Sequence, residues 1–354
     1  MKTTFACAAV LWALVVAAPS WAQAPGPLNA ITDVPGIEVG QYTESVATGG
    51  MTGTTVIVTR GGATGGVSQR GGAPGTRETD MLKPEKVVEK VHAVSLSGGS
   101  AYGLAAADGV MQCLDAQGIG TAVAPGQRIP FVPAAILFDP GRCAPFTFRP
   151  DASFGLRACQ AAAGGPVQQG NVGAGAGARS GGAKGGLGTA STVLANGIIV
   201  GAIVAVNSGG STFDAAGNFF AGFLELGDEF DQPAPGALPL EAPPTLLQNT
   251  TIAVVATNAT LTKAQATKIA QMADDGFARA IRPSHGVGDG DTIFALGTGT
   301  DSRDATNLVS QIGAAAADAL SRAVVHAILA ARSIHVGTCN VTSYCERFPA
   351  HCSN

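Results

Sequence analysis

Glycine and alanine are the residues that most restrict how this chain can fold. Of its 354 residues, 49 are glycine, concentrated between Gly164 and Gly188, and alanines are abundant beside them. Glycine lets the backbone turn where other residues cannot, or lets it approach a neighbouring element closely. The helices expected from periodicity also have small apolar faces, and such helices pack closely on a sheet or on each other. These features predict a layered α/β fold.

Hydrophobic periodicity predicts three helices and several buried strands. Thr262 and Gln265 form a capping box ahead of an apolar face that ends at Pro283. A second helix carries apolar residues at helical spacing from 308 to 328, and a third covers about 101–114. Apolar, β-branched runs typical of buried strands occur at 54–59, 197–206 and 251–256.

The glycine cluster matches a dinucleotide-binding loop only in part. Gly173, Gly175 and Ala178 have the G-x-G-x-x-A spacing. A dinucleotide loop follows an apolar strand, and an acidic residue about twenty positions later binds the ribose. Neither feature accompanies this cluster. We therefore reject a Rossmann-type site and expect no cofactor.

The N-terminus is typical of an exported protein. Met1 and Lys2 precede an apolar run at 5–18, and small residues around Ala22 resemble a cleavage site. The run is shorter than a membrane-spanning helix. We expect residues 1–22 to be a signal peptide and the mature chain to be soluble and periplasmic or secreted. A lipoprotein is the alternative, but Cys7 lies near the start of the apolar run and not at its end.

Composition argues against several partners and against a metal site. The net charge is −4 with 13% charged residues, so no basic surface is expected for nucleic acid or an anionic membrane. Six of the seven cysteines follow the signal peptide, and an oxidising compartment favours disulfides. Cys339, Cys345 and Cys352 are spaced like a local staple. No spacing of cysteine and histidine suggests a metal ion.

The segment before residue 250 changes character abruptly. Residues 225–247 are acidic and proline-rich without an apolar period, which predicts an exposed loop. The predicted strand at 251–256 follows directly, so Thr250 lies where the loop ends and the buried strand begins. On spacing alone, Thr250 is an ordinary strand residue, and residues 249–251 also match a glycosylation acceptor.

Four segments resemble the DmpA-type aminopeptidases, a family that includes β-peptidyl aminopeptidases and nylon-oligomer hydrolases. They occur in the family's order within residues 30–332: ITDVPG at 31–36, GGSAYGLAA at 98–106, NTTIAVVAT at 249–257 and DGDTIFAL at 289–296. The resemblance implies an α/β fold, an αββα sandwich of the N-terminal-nucleophile-hydrolase type. It also implies self-cleavage between Asn249 and Thr250 into a large chain, 23–249, and a small chain, 250–354.

The implied chemistry explains why Thr250 begins the small chain. A threonine hydroxyl needs a base to become a useful nucleophile. Cleavage would release the α-amine of Thr250, and an α-amine titrates near neutrality. The same hydroxyl could then attack a substrate amide. No G-x-S-x-G elbow occurs, so we interpret His285 as a loop residue rather than a triad member, with a position lining the pocket as its alternative. We interpret Tyr102 as a core residue; its alternative is to face the site through the glycine-rich turn before its helix.

The resemblance implies four further site residues. Asn207 would supply an oxyanion donor, and Lys184 would hold the proton network or a substrate carboxylate. Their alternatives are a turn residue and a solvated lysine. Asp289 and Asp291 would point to one side of an extended segment and orient the amine of Thr250. A turn or a calcium loop is the alternative for this pair, although the longer calcium pattern is missing.

Two functional hypotheses follow. The first is a self-processing threonine amidohydrolase or peptidase that acts on small peptides or linear ω-amino-acid amides. Threonine combined with Asp-x-Asp is closer to the nylon-oligomer hydrolases than to the serine peptidases of the family. The alternative is a secreted α/β protein that binds a ligand without turnover. The family also implies a homo-oligomer of processed heterodimers.

Overall fold

The computed structural model describes residues 23–45, 50–230 and 248–352. The expected signal peptide and most of the proline-rich segment, 231–247, lie outside the described residues. The α-helices are α1 (Ala106–Ala116), α2 (Ala152–Gln160), α3 (Lys263–Ala280), α4 (Val309–Ala330) and α5 (Tyr344–Arg347). Short 3₁₀ helices occur at Ile31–Asp33, Asp80–Leu82, Ser100–Ala105, Gly173–Gly175, Gly222–Leu224 and Pro349–His351.

The strands alternate with these helices along the chain. They are β1 (Glu38–Glu44), β2 (Thr52–Gln69), β3 (Thr76–Arg77), β4 (Val91–Ser97), β5 (Thr121–Ala124), β6 (Gln127–Ile129), β7 (Ala134–Ile136), β8 (Arg179–Ser180), β9 (Ala183–Lys184), β10 (Gly186–Val193), β11 (Ile199–Val206), β12 (Ile252–Thr260), β13 (Thr292–Asp304), β14 (Ile334–Val336) and β15 (Cys339–Val341). The three strands expected at 54–59, 197–206 and 251–256 are confirmed within β2, β11 and β12.

Two sheets share the long strand β2. Its first part pairs with β1 and β4, and its second part pairs with β13. One sheet has the order β10-β11-β12-β13-β2, and the other contains β1, β2, β4, β7 and β3. The register between β2 and β4 shifts between Val58 and Ala63, where β2 passes from one sheet to the other. Neighbouring strands are antiparallel except for the pairs β12–β13 and β4–β7.

Helices cover the outer face of each sheet and complete four layers. Helices α3 and α4 pack on the first sheet, and α1 and α2 pack on the second. Separate hydrophobic clusters fill the three interfaces between layers. On β12, Val255 faces the cluster under α3 and α4, whereas Val254 faces the cluster between the sheets, as side chains alternate along a strand. The αββα sandwich is therefore confirmed.

The capping box expected at Thr262 is present. The backbone N–H of Gln265 donates to Thr262 Oγ1 over 3.3 Å, and the N–H of Thr262 donates to Gln265 Oε1 over 2.8 Å. Helix α3 ends at Ala280, before Pro283. The third expected helix begins as the 3₁₀ turn Ser100–Ala105 and continues as α1. All three helices are thus confirmed, with their bounds moved by a few residues.

Small residues allow the helices and strands to approach one another closely. A Cβ at Gly188 of β10 would collide with the carbonyl of Ala323 in α4, and one at Gly276 of α3 would lie 2.5 Å from the carbonyl of Ala317. Among the described helices, α4 could cross a membrane by its length and composition alone. However, 78% of its apolar 18-residue window is buried in the fold. The alanine-rich face of α4 is accordingly a packing surface.

A buried arginine anchors the start of the acidic segment. Arg322 of α4 is completely buried, and its guanidinium donates to Glu229, to the carbonyl of Ser191 and to Asn29 Oδ1. A buried charge needs such partners, because desolvation without them is unfavourable. Phe230 is buried as well. The expectation of an exposed loop is therefore wrong at residues 229 and 230.

Three disulfides join the cysteines, and one corrects the expected staple. Cys345 pairs with Cys352 as expected for a local bridge, but Cys339 pairs with Cys143, 196 residues away. The third bridge joins Cys113 to Cys159. The hairpin of β14 and β15 packs its apolar side against Met51 and Cys143, which brings the distant cysteines together. Sequence spacing contains no signal of this contact.

The close packing of α4 on β10 leads to a stability prediction. Gly188→Ala places a methyl group against the α4 backbone, so we expect the free energy of unfolding to fall by about 1–3 kcal/mol, as for other overpacked cores. Gly164→Ala is the matched control, because no atom lies within 4 Å of a Cβ at that position. Denaturant unfolding of both variants checks this, and equal stability of the two would contradict it.

Candidate active site

The parallel pairing of β12 and β13 places Thr250 in a buried loop-strand junction. Ile252 and Thr292 are partners in register. The N–H of Gly290 donates to the carbonyl of Asn249 over 3.2 Å, which extends the pairing beyond the start of both strands. Because parallel strands begin at the same edge of a sheet, Thr250 lies beside the loop that carries Asp289 and Asp291.

The hydroxyl of Thr250 lies next to the peptide bond that precedes it. Thr250 Oγ1 donates to the carbonyl oxygen of Asn249 over 2.5 Å, and the N–H of Thr250 donates to the carbonyl of Asn207 over 2.7 Å. Thr250 and Asn249 are only 5% and 8% exposed, so the glycosylation alternative does not apply to the folded chain. A Cβ at Gly290 would lie 2.8 Å from Thr250 Oγ1, which explains the glycine between the two aspartates.

Asp291 holds the backbone beside the hydroxyl. Its Oδ1 accepts from the N–H of Thr251 over 2.8 Å, and its Oδ2 accepts from the N–H of His285 and contacts His285 Nδ1, both at 3.0 Å. Asp291 therefore acts on Thr250 through the neighbouring backbone. His285 lies in a loop, as predicted. Its ring nevertheless contacts Asp291 and so belongs to the site. In the sequence, the only sign of this was that His285 lies four residues from Asp289.

The charge on Asp291 alters the titration of His285. Burial lowers the pKa of His285, but the hydrogen bond and charge of Asp291, together with the charge of Asp274, outweigh burial and raise it. A raised pKa stabilises the protonated ring relative to that of an exposed histidine. His285 Nδ1 contacts the carboxylate of Asp291 and not a nucleophilic hydroxyl.

Asp289 is held by backbone N–H groups. Its Oδ2 accepts from the N–H of Gly286 over 2.8 Å, and the backbone N–H of Gly209 also lowers the pKa of the carboxyl. Burial raises the pKa of Asp289, and the charge of Asp291 raises it further. Within residues 23–45, 50–230 and 248–352, no group of three or more metal-ligating side chains is present, and the Asp289–Asp291 pair binds protein groups.

Asn207 lies beside the segment ahead of Thr250, and the orientation of its side-chain amide is fixed. Its Oδ1 accepts from the backbone N–H of Arg179 over 3.0 Å and from the guanidinium of Arg142. Its Nδ2 is left to donate towards the carbonyl of Gln248, 3.4 Å away. Arg142 itself donates to that carbonyl over 2.6 Å. Sequence reasoning missed Arg142, which lies in an irregular loop with no recognisable motif.

Lys184 is buried under the glycine-rich loop. Its side chain donates to the carbonyls of Gly175, Ala178 and Gly185 over 2.7–3.1 Å, and the residue is 1% exposed. The alternative of a solvated lysine is therefore wrong. Burial lowers the pKa of Lys184 to about 7, and the charge of Asp139 opposes this. Lys184 makes no hydrogen bond to Thr250 in the described structure and holds the loop ahead of Arg179. Its role in the proton network or in binding a substrate carboxylate stays a prediction.

Tyr102 does not pack in the core. It lies on a surface 3₁₀ turn and is 57% exposed. The guanidinium of Arg149 covers its ring at 3.6 Å, a cation–π contact. The expectation of a core tyrosine is wrong because the 3₁₀ turn ahead of α1 faces outwards at this position.

The titration of Asp289 leads to a prediction about stability and pH. Asp289→Asn keeps an oxygen for the N–H of Gly286 but removes a charge that burial disfavours. Because the pKa of Asp289 is raised in the folded chain, its ionised form destabilises the fold at neutral pH, and this effect fades as the pH approaches about 4. We expect a higher Tm for the variant at neutral pH and no difference at the lower pH.

Thermal unfolding in a Thr250→Ala background checks this without interference from processing. Asp275→Asn, at an exposed position of α3, is the control and should shift Tm little at either pH. The same Tm difference for Asp289→Asn at both pH values would contradict the assignment.

Known proteins resemble this chain along most of its length. The family model of peptidase family S58 matches residues 29–341. An uncharacterized aminopeptidase of Mycobacterium leprae is 46% identical over 352 residues, covering 91% of this chain and 95% of the relative. A 6-aminohexanoate-oligomer endohydrolase of Kocuria sp. is 31% identical over 283 residues, covering 75% of this chain and 74% of the relative.

Solved structures agree with these relatives. A β-aminopeptidase of Burkholderia sp. superimposes with a TM-score of 0.69 at 26% identity, covering 93% of this chain and 95% of that one. An L-aminopeptidase D-Ala-esterase/amidase of Ochrobactrum anthropi, described as a variant of the Ntn hydrolase fold, has a TM-score of 0.67 at 22% identity and supports the fold alone; it covers 92% of this chain and 94% of that one. The chain therefore belongs to peptidase family S58.

Proposed function

We propose that this chain cleaves itself between Asn249 and Thr250 and then hydrolyses amide substrates with Thr250 as the nucleophile. Membership of peptidase family S58 makes it a hydrolase of amide bonds. The observation that carries the finer proposal is the position of Thr250 Oγ1, 2.5 Å from the carbonyl oxygen of Asn249 within a buried site. The resemblance of residues 249–257 to self-processing relatives supports the same assignment.

Self-cleavage would proceed by transfer of the acyl group from nitrogen to oxygen. Thr250 Oγ attacks the carbonyl carbon of Asn249, the hydroxyl proton passes to the nitrogen of Thr250, and the C–N bond breaks to leave an ester. Water then hydrolyses the ester to a carboxylate on Asn249, with a free hydroxyl and amine on Thr250. The N–H of Gly290 already donates to the carbonyl oxygen of Asn249, on which the oxyanion develops. We assign Asn207 Nδ2 as a second donor, because both donors to its Oδ1 leave Nδ2 facing the same segment.

The released amine completes the mature site. It serves as the base for Thr250 Oγ when the hydroxyl attacks a substrate carbonyl. We assign the buried carboxylate of Asp289, which pairs with Asn249 beside Thr250, as an acceptor for the protonated amine. The carbonyl of Asn207, which already accepts from the N–H of Thr250, is a second acceptor. These contacts hold the amine beside the hydroxyl that it activates.

The substrates proposed are small peptides and linear amides of ω-amino acids. The relatives named as aminopeptidases support the first class, and the 6-aminohexanoate-oligomer endohydrolase supports the second. We also propose export to the periplasm or medium, which the three disulfides support because such bonds persist in oxidising compartments. Assembly of processed heterodimers into a homo-oligomer belongs to the same proposal.

Mass spectrometry of the denatured, reduced protein tests the cleavage. The parent should yield two chains, the smaller beginning at Thr250, and Thr250→Ala should remain intact because it lacks the nucleophile. Thr250→Ser should still cleave. Thr251→Val is the matched control, since Thr251 Oγ1 is buried without a partner and its loss should leave cleavage unchanged.

An intact parent chain would contradict self-cleavage and favour the alternative of a ligand-binding protein without turnover. Cleavage of Thr250→Ala at the same bond would instead show that another protease makes the cut. Either result would also remove the basis for assigning the free amine of Thr250 as the base.

Loss of the oxyanion donor should slow both reactions. Asn207→Asp keeps the shape and the acceptor for Arg142 and Arg179 but removes the Nδ2 donor. We expect kcat for release of 4-nitroaniline from 6-aminohexanoyl 4-nitroanilide to fall about 100-fold or more, with a smaller change in KM. Asn340→Asp, at an exposed position of β15, is the control. Unchanged kcat in Asn207→Asp would remove Asn207 from the catalytic residues.

A further inference from the structure

One disulfide joins the two parts of the chain that self-cleavage would separate. Cys143 lies in the large chain and Cys339 in the small chain, whereas the other two disulfides each lie within one of these chains. This inference rests on the self-cleavage proposed above, because the uncut chain is continuous at Asn249. In the described part of the processed protein, the bond between Cys143 and Cys339 would be the only covalent link between the two chains.

This disulfide is adjacent to an arginine that contacts the site. Arg142 precedes Cys143 in the loop between β7 and α2, and its guanidinium donates to Asn207 Oδ1 and, over 2.6 Å, to the carbonyl of Gln248. The φ angle of Cys143 is 59°. Residues other than glycine seldom adopt this left-handed conformation, so the turn needs a contact that holds it. The bond to Cys339 supplies such a contact one residue away from Arg142.

The hairpin of β14 and β15 contacts both segments that hold the amide of Asn207. Its strand β15 carries Cys339, which binds the hairpin to the loop between β7 and α2. Directly after β15, the carbonyl of Thr342 accepts from the N–H of Lys184 in β9 over 2.9 Å. Strand β9 pairs with β8, where the N–H of Arg179 donates to Asn207 Oδ1. Both donors to this oxygen therefore lie on segments of the large chain that the small chain holds.

We propose that the small chain positions the oxyanion donor of the large chain through the disulfide Cys143–Cys339. The disulfide holds Arg142, and Arg142 in turn fixes the side-chain amide of Asn207 so that Nδ2 is left to donate. A donor that is already held in place needs no reorganisation when charge develops on the substrate oxygen. Arg142 is thus a positioning residue, and full activity of the processed protein requires this disulfide.

Mass spectrometry of the denatured protein without reduction tests the link. The parent should appear as one species that is heavier than the intact chain by the mass of one water, and reduction should release the two chains. The double variant Cys143→Ser, Cys339→Ser should give two chains without reduction. Two separate chains from the unreduced parent would overturn the link while self-cleavage stands. A parent with the mass of the uncut chain would overturn self-cleavage and, with it, the link.

Reduction of the processed protein tests the positioning. We expect kcat for 6-aminohexanoyl 4-nitroanilide to fall about tenfold or more, with a smaller change in KM, because a donor that is free to turn stabilises the oxyanion less. Reoxidation should restore kcat. The double variant Cys143→Ser, Cys339→Ser should have the low kcat from the start and should not respond to reduction.

The matched control is Cys345→Ser with Cys352→Ser, which removes a disulfide within the small chain. It should keep the kcat of the parent and the response to reduction. An unchanged kcat in the reduced parent would overturn the positioning, and so would an equal loss of kcat in the control variant.

Arg142→Gln separates positioning from general support of the fold. If the disulfide acts through Arg142, this variant already has a low kcat, and reduction lowers it little further. Arg128→Gln, on the exposed hairpin of β5 and β6, should respond to reduction as the parent does. An equal fractional loss of kcat in Arg142→Gln and in the parent would contradict a role through Arg142. If the processed parent does not hydrolyse the anilide, the cysteine variants and Arg142→Gln are compared by their rates of self-cleavage, in which Asn207 has the same role.

Discussion

The parallel pairing of β12 with β13 is the constraint on which the site depends. It aligns the residues that precede both strands, so Thr250 meets the loop that contains Asp289 and Asp291. Asp291 then fixes the backbone on one side of the hydroxyl through the N–H of Thr251. A shift of this register by one residue would move every side chain of the shifted strand to the opposite face of the sheet. It would also separate Thr250 from the loop that contains Asp289 and Asp291.

Close packing of small residues makes this pairing rigid. Gly188 and Gly276 let α4 contact β10 and α3 at backbone distance, so the first sheet has little freedom to shift. Buried charges are arranged around the same frame. Arg322 donates to Glu229, to the carbonyl of Ser191 and to the side-chain oxygens of Asn29 and Thr192. Lys184 donates to three carbonyls of the glycine-rich region. Neither cation forms a hydrogen bond to Thr250 in the described structure. Lys184 holds the loop ahead of Arg179, whose backbone N–H donates to Asn207.

Sequence patterns predicted the layers and the order of elements well. The capping box at Thr262 specifies a helix start through local hydrogen bonds, and β-branched runs favour buried strands wherever they occur. The position of Thr250 at a strand start was predicted for the same reason. Local patterns failed where partners are distant in sequence: Cys339 pairs with Cys143, Glu229 is held by Arg322, and Arg142 reaches Asn207.

The sequence by itself determined the fold class and the family, because periodicity and short motifs are properties of neighbouring residues. Thr250, Asn207 and Lys184 are candidate site residues that the family resemblance implies. Only the tertiary structure decided what each residue contacts. It showed that Lys184 donates to carbonyls of a loop, that His285 contacts Asp291, and that Arg142 donates to the segment ahead of Thr250. Such contacts depend on how strands from distant parts of the chain pair and pack, and no local pattern encodes that arrangement.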